Sequence, residues 1–324
     1  MSDILVSASP HIRASRATRH IMRDVIIALL PAALFGAGYQ GYLLGGAQVL
    51  RPITLLLLAI CGAVAGEFVA QKLMRRPVTL SDGSAIVTGL LLGMNLPPTV
   101  PLWMPLVGSV FAIVVVKQLF GGLGYNFVNP ALAARCFLLV SWAGLMTNFV
   151  NPTYADAFAG ATPLVVARQG LFDNLASGDH WTWLWRLALG LCSGSIGETP
   201  KLLLLLGAIY LLCRRVIDWR IPLSFLGTFA LVWTLIAPGQ PLDIAMLSGG
   251  LILGAFFMAT DYVTIPEIPW ARLLFGVGCG LLSAVIRRWG GPAEGVSYAI
   301  LLMNVTVPLL NKLPVPRPFG GAKR

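Results

Sequence analysis

The sequence predicts an all-α polytopic membrane protein of about ten transmembrane helices, and three observations carry that prediction. Apolar residues make up 57% of the 324 and charged residues only 11%, against about a quarter charged in an ordinary soluble chain. Mean hydropathy is +0.80. Apolar runs near the ~20 residues needed to cross a bilayer recur along the chain, as at Asp24–Leu44 and Ile53–Ala70. Lipid offers open backbone groups no partner, so such runs read as helices.

Taken in order, residues 1–23 form a basic N-terminus with Arg13, Arg16, Arg19 and Arg23. No small-residue cleavage site follows it in a suitable place, so it does not read as a cleavable signal. Apolar runs place a first set of five spans within 24–147, near 24–44, 51–70, 83–96, 102–118 and 128–147. A polar connection, 148–197, follows. A second set of five lies within 198–311, near 198–214, 220–237, 244–259, 270–287 and 295–311, and 312–324 is a tail.

The segment "HWTWLWRLALGLC", His180 to Cys192, is a possible eleventh span. Its Trp181, Trp183, Trp185 and Arg186 suit an interfacial helix better, because indoles favour the headgroup level. Charge supports the same choice. With ten spans and a cytoplasmic N-terminus, sixteen Lys/Arg fall on the cytoplasmic side and six outside, with Arg135 in a span. An eleventh span would erase that positive-inside bias. Both termini are then cytoplasmic and the long loop faces outward, with the pair Arg287–Arg288 as an exception.

Two spans are short. Gly83–Leu96 and Met246–Ala259 each hold fourteen residues, and each follows an aspartate, Asp82 or Asp243, that could cap it. They share a core, "GLLLG" at Gly89–Gly93 and "GLILG" at Gly250–Gly254. Each half also carries a glycine-rich turn later on, "GGLGYN" at Gly121–Asn126 and "GGPAEG" at Gly290–Gly295. Paired short helices of opposite orientation are the mark of two inverted five-helix repeats with a site near their pseudo-symmetry axis.

Composition also excludes functions. The net charge of +10 would suggest nucleic acid in a soluble protein; here the basic residues orient helices in lipid. Cys61, Cys136, Cys192, Cys213 and Cys279 are scattered without a CxxC pair, which argues against a disulfide framework or a metal knuckle. His11, His20 and His180 lie outside the expected spans, so a pair of intramembrane haem ligands is missing. No glycine fingerprint follows a strand, so no dinucleotide site is expected.

The outward loop holds "DAFAGAT", Asp156 to Thr162. Read alone, it is a connector with a threonine in it. The pattern D-x-x-x-G-A-T resembles the acceptor motif at which a flavin transferase attaches FMN to threonine through a phosphoester, with Ala159 where that motif has Ser or Thr. "SPHIR" at Ser9–Arg13, "SDGSAIVTGLLLGMNLP" at Ser81–Pro97, "FGGLGYNFVNPALAAR" at Phe120–Arg135, "AGATPL" at Ala159–Leu164 and "GSIGET" at Gly194–Thr199 then occur in matching order. Together they resemble the D-subunit family of Rnf complexes, the ion-translocating ferredoxin:NAD+ oxidoreductases. They are also similar to the related B-subunit family of the sodium-pumping NADH:quinone reductases.

That resemblance implies one component of a translocase in the bacterial cytoplasmic (inner) membrane, not catalytic alone. It would carry covalent FMN on Thr162 and pass electrons between flavin and iron–sulfur partners, coupled to Na+ or H+ movement. Small neighbours such as Gly160 and Ala161 would let the transferase reach the hydroxyl, and Asp156 would bind the transferase's metal or orient the segment. Expected partners are the Rnf A, B, C, E and G subunits, the flavin transferase and membrane lipid, with NADH and ferredoxin bound by other subunits. A second, noncovalent flavin such as riboflavin stays open. The implied fold is urea-transporter-like.

A flavin needs more than its tether. Arg168 is the nearest basic candidate for its phosphate, or an ordinary loop charge. Ser84, Thr88 and the turn Asn126–Asn129 could supply polar groups to the ring, or simply pack helices. Glu67, a carboxylate inside the second span, is the candidate for an ion or proton pathway, with pairing to Lys72 or a neighbouring subunit as the competing reading. The rival function is an inverted-repeat transporter or channel for a small solute, which would be colourless.

Overall fold

The computed structural model describes residues 18–150, 180–290 and 295–314. Among these residues every regular element is helical. Helix α1 is Thr18–Leu44, α2 is Arg51–Leu73 and α3 is Ser84–Met94. Helix α4 is Trp103–Gln118. Helix α5, Pro130–Ser141, continues past Trp142 into the single turn α6, Ala143–Met146. Then come α7, His180–Leu189, α8, Lys201–Cys213, and α9, Arg220–Ile236. Leu242–Leu247 is α10, 251–258 is α11, Pro269–Trp289 is α12 and Val296–Leu310 is α13.

The stretches Thr18–Leu44, Gly46–Leu73 and Pro269–Trp289 are long and apolar enough to cross a membrane, and six shorter apolar helices pack with them. The chain is a multi-pass membrane protein. Large apolar side chains such as Leu57, Leu206, Leu231 and Leu235 point outward, while alanines such as Ala32, Ala59, Ala208 and Ala299 fill the interior. That inversion is what lipid demands, since helices there associate by close approach of small residues. Gly89 of "GLLLG" shows the requirement: a Cβ on it would lie 2.7 Å from the Ala59 carbonyl of α2.

The expected boundaries need four corrections. Helix α1 begins at Thr18, so Arg19, His20 and Arg23 ride on its first turns and are not a free tail. The aspartates do not occupy cap positions. Gly83 precedes α3 in the left-handed conformation, with Asp82 accepting the Ser84 N–H at 2.8 Å, and Asp243 lies inside the first turn of α10. The expected span 244–259 is not continuous: α10 stops at Leu247, Ser248 is extended, and helix resumes at Leu251. Glu198 does not begin a span but lies buried ahead of α8, which starts at Lys201. The segment read as interfacial or as an eleventh span forms the ten-residue α7, about 15 Å long, half the thickness of a bilayer core.

Helices α4 and α11 both end in wide π-type turns, with Leu119 N–H bonded to the Val114 carbonyl and Ala259 N–H to that of Gly254. Such turns insert an extra residue and re-aim the side chains around them. Both turns face the same cavity.

Candidate functional site

Two buried polar clusters occupy opposite ends of α1. Met22 lines the first, and Gln40 donates to the Gly194 carbonyl beside the second. Eighteen residues of helix separate these contacts, about 27 Å.

The first cluster surrounds a pocket of about 760 Å³, open mouth included, with walls from α1, α3, α4, α5, α8 and α11. Ser84, Thr88, Lys117, Asn126, Asn129 and Asp261 supply its polar groups, and Val25, Leu91, Phe256 and Phe257 its apolar surface. Each is placed by local structure. Ser84 opens α3. Lys117 sits in the wide turn of α4. Asn129 caps α5 by accepting the N–H groups of Ala131 and Leu132, and its amide donates to the Met258 carbonyl at the end of α11. The Asn126 amide donates to the Val128 carbonyl.

Lys117 is 2% exposed and bonds two partners, Glu67 Oε1 at 2.7 Å and Ser84 Oγ at 2.6 Å. Gln118 donates to the same carboxylate oxygen at 2.8 Å. Glu67 therefore pairs across to α4, which corrects the expectation of Lys72; that ammonium sits over the Phe68 ring instead. In the loop after α11, burial pushes the Asp261 carboxyl up to about 6 against the lowering effects of the Val263 N–H, the Thr264 hydroxyl and Lys117. Burial and the Asp261 and Asp82 carboxylates push the Tyr262 phenol up to about 12.

The second cluster is crowded. Arg135 of α5 reaches Glu198 at 2.9 Å, Asn95 Oδ1 at 2.7 Å and the Ser297 hydroxyl at 3.1 Å. Lys201 donates to the Gly249 carbonyl, and Arg287 to the carbonyls of Ala245 and Ser248 while stacking on Phe229. The break in the 244–259 span now has a cause. Its freed carbonyls hold two buried cations, Lys201 and Arg287, which carbonyl dipoles stabilise. Among the described residues, Glu198 is the carboxylate that both of them feel.

Of the residues singled out from sequence, Ser84, Thr88 and Asn126 meet in the pocket, and Glu67 is joined to it through Lys117. Asp156, Gly160, Ala161, Thr162 and Arg168 lie outside the described residues. The described flanks of their loop are at the far end from the pocket: the Asn148 carbonyl accepts from Thr99, and α7 packs through Leu187 against Cys192 and Ile244. Sequence reasoning missed Lys117 and Lys201, counting them as orienting charges, and noted Arg287 only as an exception to the positive-inside bias. The signal was present, since each falls within or at the end of an apolar run, where a charge is a candidate for function.

Residues 5–320 match the model of the NQR2, RnfD, RnfE family. The D subunit of a Na(+)-translocating ferredoxin:NAD(+) oxidoreductase complex from Acetobacterium woodii is 46% identical, covering 99% of this chain and 96% of the relative. Its proton-translocating counterpart from Clostridium ljungdahlii is 40% identical over 97% of this chain and 96% of its own. The D subunit of an ion-translocating oxidoreductase complex from Stutzerimonas stutzeri is 40% identical, covering 94% and 92%.

Proposed function

Because the chain belongs to the NQR2, RnfD, RnfE family, we propose that it is the membrane electron-transfer D subunit of an Rnf-type ion-translocating ferredoxin:NAD+ oxidoreductase. It works with the other Rnf subunits and is not catalytic alone. The observation that carries this reading is co-linear similarity over 99% of the chain to a protein so named. The Na+ and H+ relatives are both near in sequence, so the reading covers either coupling ion.

Within it, Thr162 is the acceptor of covalent FMN, with Asp156, Gly160 and Ala161 serving the transferase and Arg168 the phosphate; the motif supports this. The pocket is assigned to a second, noncovalent flavin such as riboflavin. One observation of fit supports that assignment: the lining is mostly apolar with a few convergent polar groups, as in small-molecule sites. Ser84, Thr88, Lys117, Asn126 and Asn129 would hold the ring's heteroatoms, and Phe256 and Phe257 would cover its face. A flavin supplies one- and two-electron transfer; the protein orients it, excludes water and sets its potential. Because the flanks of the Thr162 loop lie at the far end, these residues suit an untethered ring.

Ten spans in two inverted repeats are part of the same proposal. Two parallel features favour it. Lys117 bonds Ser84 at the start of α3, and Arg287 bonds Ala245 of α10 and Ser248 just beyond it, in each case from near the end of a helix that follows. Removing the buried Lys117 from the cytoplasmic count, and Lys201 and Arg287 from the outer one, changes sixteen against six to fifteen against four. The positive-inside bias sharpens with the termini and the pocket on the cytoplasmic side and the Thr162 loop outside.

The test is to co-express the chain with a flavin transferase, run a denaturing gel and image flavin fluorescence. A band present in wild type and lost in Thr162→Ala is expected. A dark wild-type band, with the transferase active on a control protein, would turn the reading toward a colourless transporter.

A further inference from the structure

Arg75 and Arg215 hold a left-handed backbone, each with φ of 53°, and among the described residues they are the non-glycine positions that do so. Each follows the end of a helix. After α2, the Arg75 N–H bonds the Lys72 carbonyl and the Arg76 N–H that of Gln71. After α8, the Arg215 N–H bonds the Leu212 carbonyl and the Val216 N–H that of Leu211. This is the closing turn in which glycine normally takes the left-handed position, because a Cβ there crowds the backbone. The helix dipole favours a cation near a C-terminus, which accounts for the charge but not for its place on the strained residue. A strained residue that persists points to a use for its side chain.

The two arginines share one end of the bundle. Tyr210 and Arg214, at the end of α8, bond Asp24 on α1. A Cβ on Gly83, beyond the end of α2, would lie 3.5 Å from Met22 on the same part of α1. Arg19, Arg23, Lys72, Arg75 and Arg215 are exposed there. The carboxylates nearby are already engaged: Asp24 is buried under Arg214, and Asp218 is held by Arg220 and Arg272. The terminal segments bring Asp3 against Arg13 and Arg16, and Arg317, Lys323 and Arg324 with no acid, so the chain has little anion of its own for this rim. Directly along the helices runs an exposed apolar wall, Val69 and Leu73 on α2, Leu206 and Ile209 on α8, and Ile27 on α1.

We propose that this rim binds anionic phospholipid, with Arg75 and Arg215 each engaging a headgroup phosphate while the acyl chains lie along α2 and α8. A row of cations at the end of a lipid-facing apolar wall matches both parts of such a molecule, and juxtamembrane arginines draw anionic headgroups. An acidic protein partner would match the charge but not the wall. The site needs no cofactor, so it stands apart from the reading of the pocket.

The test places the purified full-length chain in nanodiscs of phosphatidylcholine, with or without phosphatidylglycerol. Tryptophan fluorescence reads the thermal unfolding midpoint, and native mass spectrometry counts the retained lipid. In wild type, phosphatidylglycerol should stay bound and raise the midpoint, and high salt should remove the gain. The double variant Arg75→Gly, Arg215→Gly should unfold no earlier than wild type in phosphatidylcholine, since glycine adopts the left-handed turn freely. Its affinity for phosphatidylglycerol should fall about fivefold for each arginine removed, while Arg75→Lys with Arg215→Lys should keep most of it. A glycine variant that retains phosphatidylglycerol as wild type does overturns the proposal, because the lipid then sits elsewhere. One that unfolds earlier in phosphatidylcholine overturns it as well, because the arginines then serve the fold. In the intact complex, an arginine-directed dicarbonyl should modify Arg75 and Arg215 once lipid is stripped away; continued protection would show that a partner subunit covers them and would overturn the lipid site.

Discussion

The two ends of the molecule solve one problem, a buried cation, in different ways. Beside α3, Lys117 bonds the Glu67 carboxylate and also acts on the Asp261 carboxyl, and the pair opens on a pocket. Around the break between α10 and α11, Arg135, Lys201 and Arg287 share one carboxylate among the described residues, Glu198, and backbone carbonyls take up the remaining donors. The first pairs one buried lysine with one buried carboxylate beside a cavity. Among the described residues, the second sets three cations around one carboxylate in close packing. The contrast teaches that burial alone does not make a charge functional. A matched pair beside a cavity can change partners, whereas a crowded cluster held by carbonyls fixes the helix break and the segment ahead of α8.

The difference can be broken by mutation. The largest effect is expected at Glu198, because three buried cations depend on it: Arg135 pairs with it directly, and Lys201 and Arg287 feel its charge. Breaking one buried pair costs about 3–5 kcal/mol, so Glu198→Ala should reach at least the upper end, read as a lowered unfolding midpoint by tryptophan fluorescence in detergent. A smaller loss than at Glu67 would show that another anion serves the crowded cluster.

Next in size is the response to double substitution. Glu67→Leu alone should cost about 3–5 kcal/mol, and Glu67→Leu with Lys117→Met should recover to within about 1 kcal/mol, as buried pairs replaced by apolar residues do. The double variant Arg135→Leu, Glu198→Leu should not recover, since Lys201 and Arg287 remain. Equal recovery at both ends would erase the distinction.

A smaller, pH-dependent effect is expected at Asp261. Its folded value near 6 lies above the ordinary 3.8, so ionising it costs the fold stability. That penalty is absent below about pH 4, grows as pH rises, and is complete above about pH 6. Asp261→Asn should therefore raise the unfolding midpoint at pH 7 and lose its advantage at pH 4. The smallest change is expected at Lys72. Its ammonium rests on Phe68 and not on Glu67, so Lys72→Ala should stay within about 0.5 kcal/mol of wild type.

How much of this was legible can be judged residue by residue. The run 220–237 became Arg220–Ile236 and 295–311 became Val296–Leu310, because a continuous apolar run marks a helix through local hydropathy alone. Ser84, Thr88 and Asn126 were singled out together, since polar groups on otherwise apolar segments stand out, and they do share a pocket. Family membership was equally local, written in five ordered blocks.

Partnership was not local. Lys117 lies fifty positions from Glu67, while Lys72 lies only five away, and sequence proximity favoured the wrong one. The break in 244–259 was hidden because nothing in that run forbids a continuous helix. Its cause comes from Lys201 and Arg287, brought in by α8 and α12. The sequence by itself determined which segments form apolar helices, because that depends on each segment's own apolar surface. Tertiary structure decided which charges are sites and which are surface, because a buried charge takes its partner by distance in space, and only packed helices set that distance.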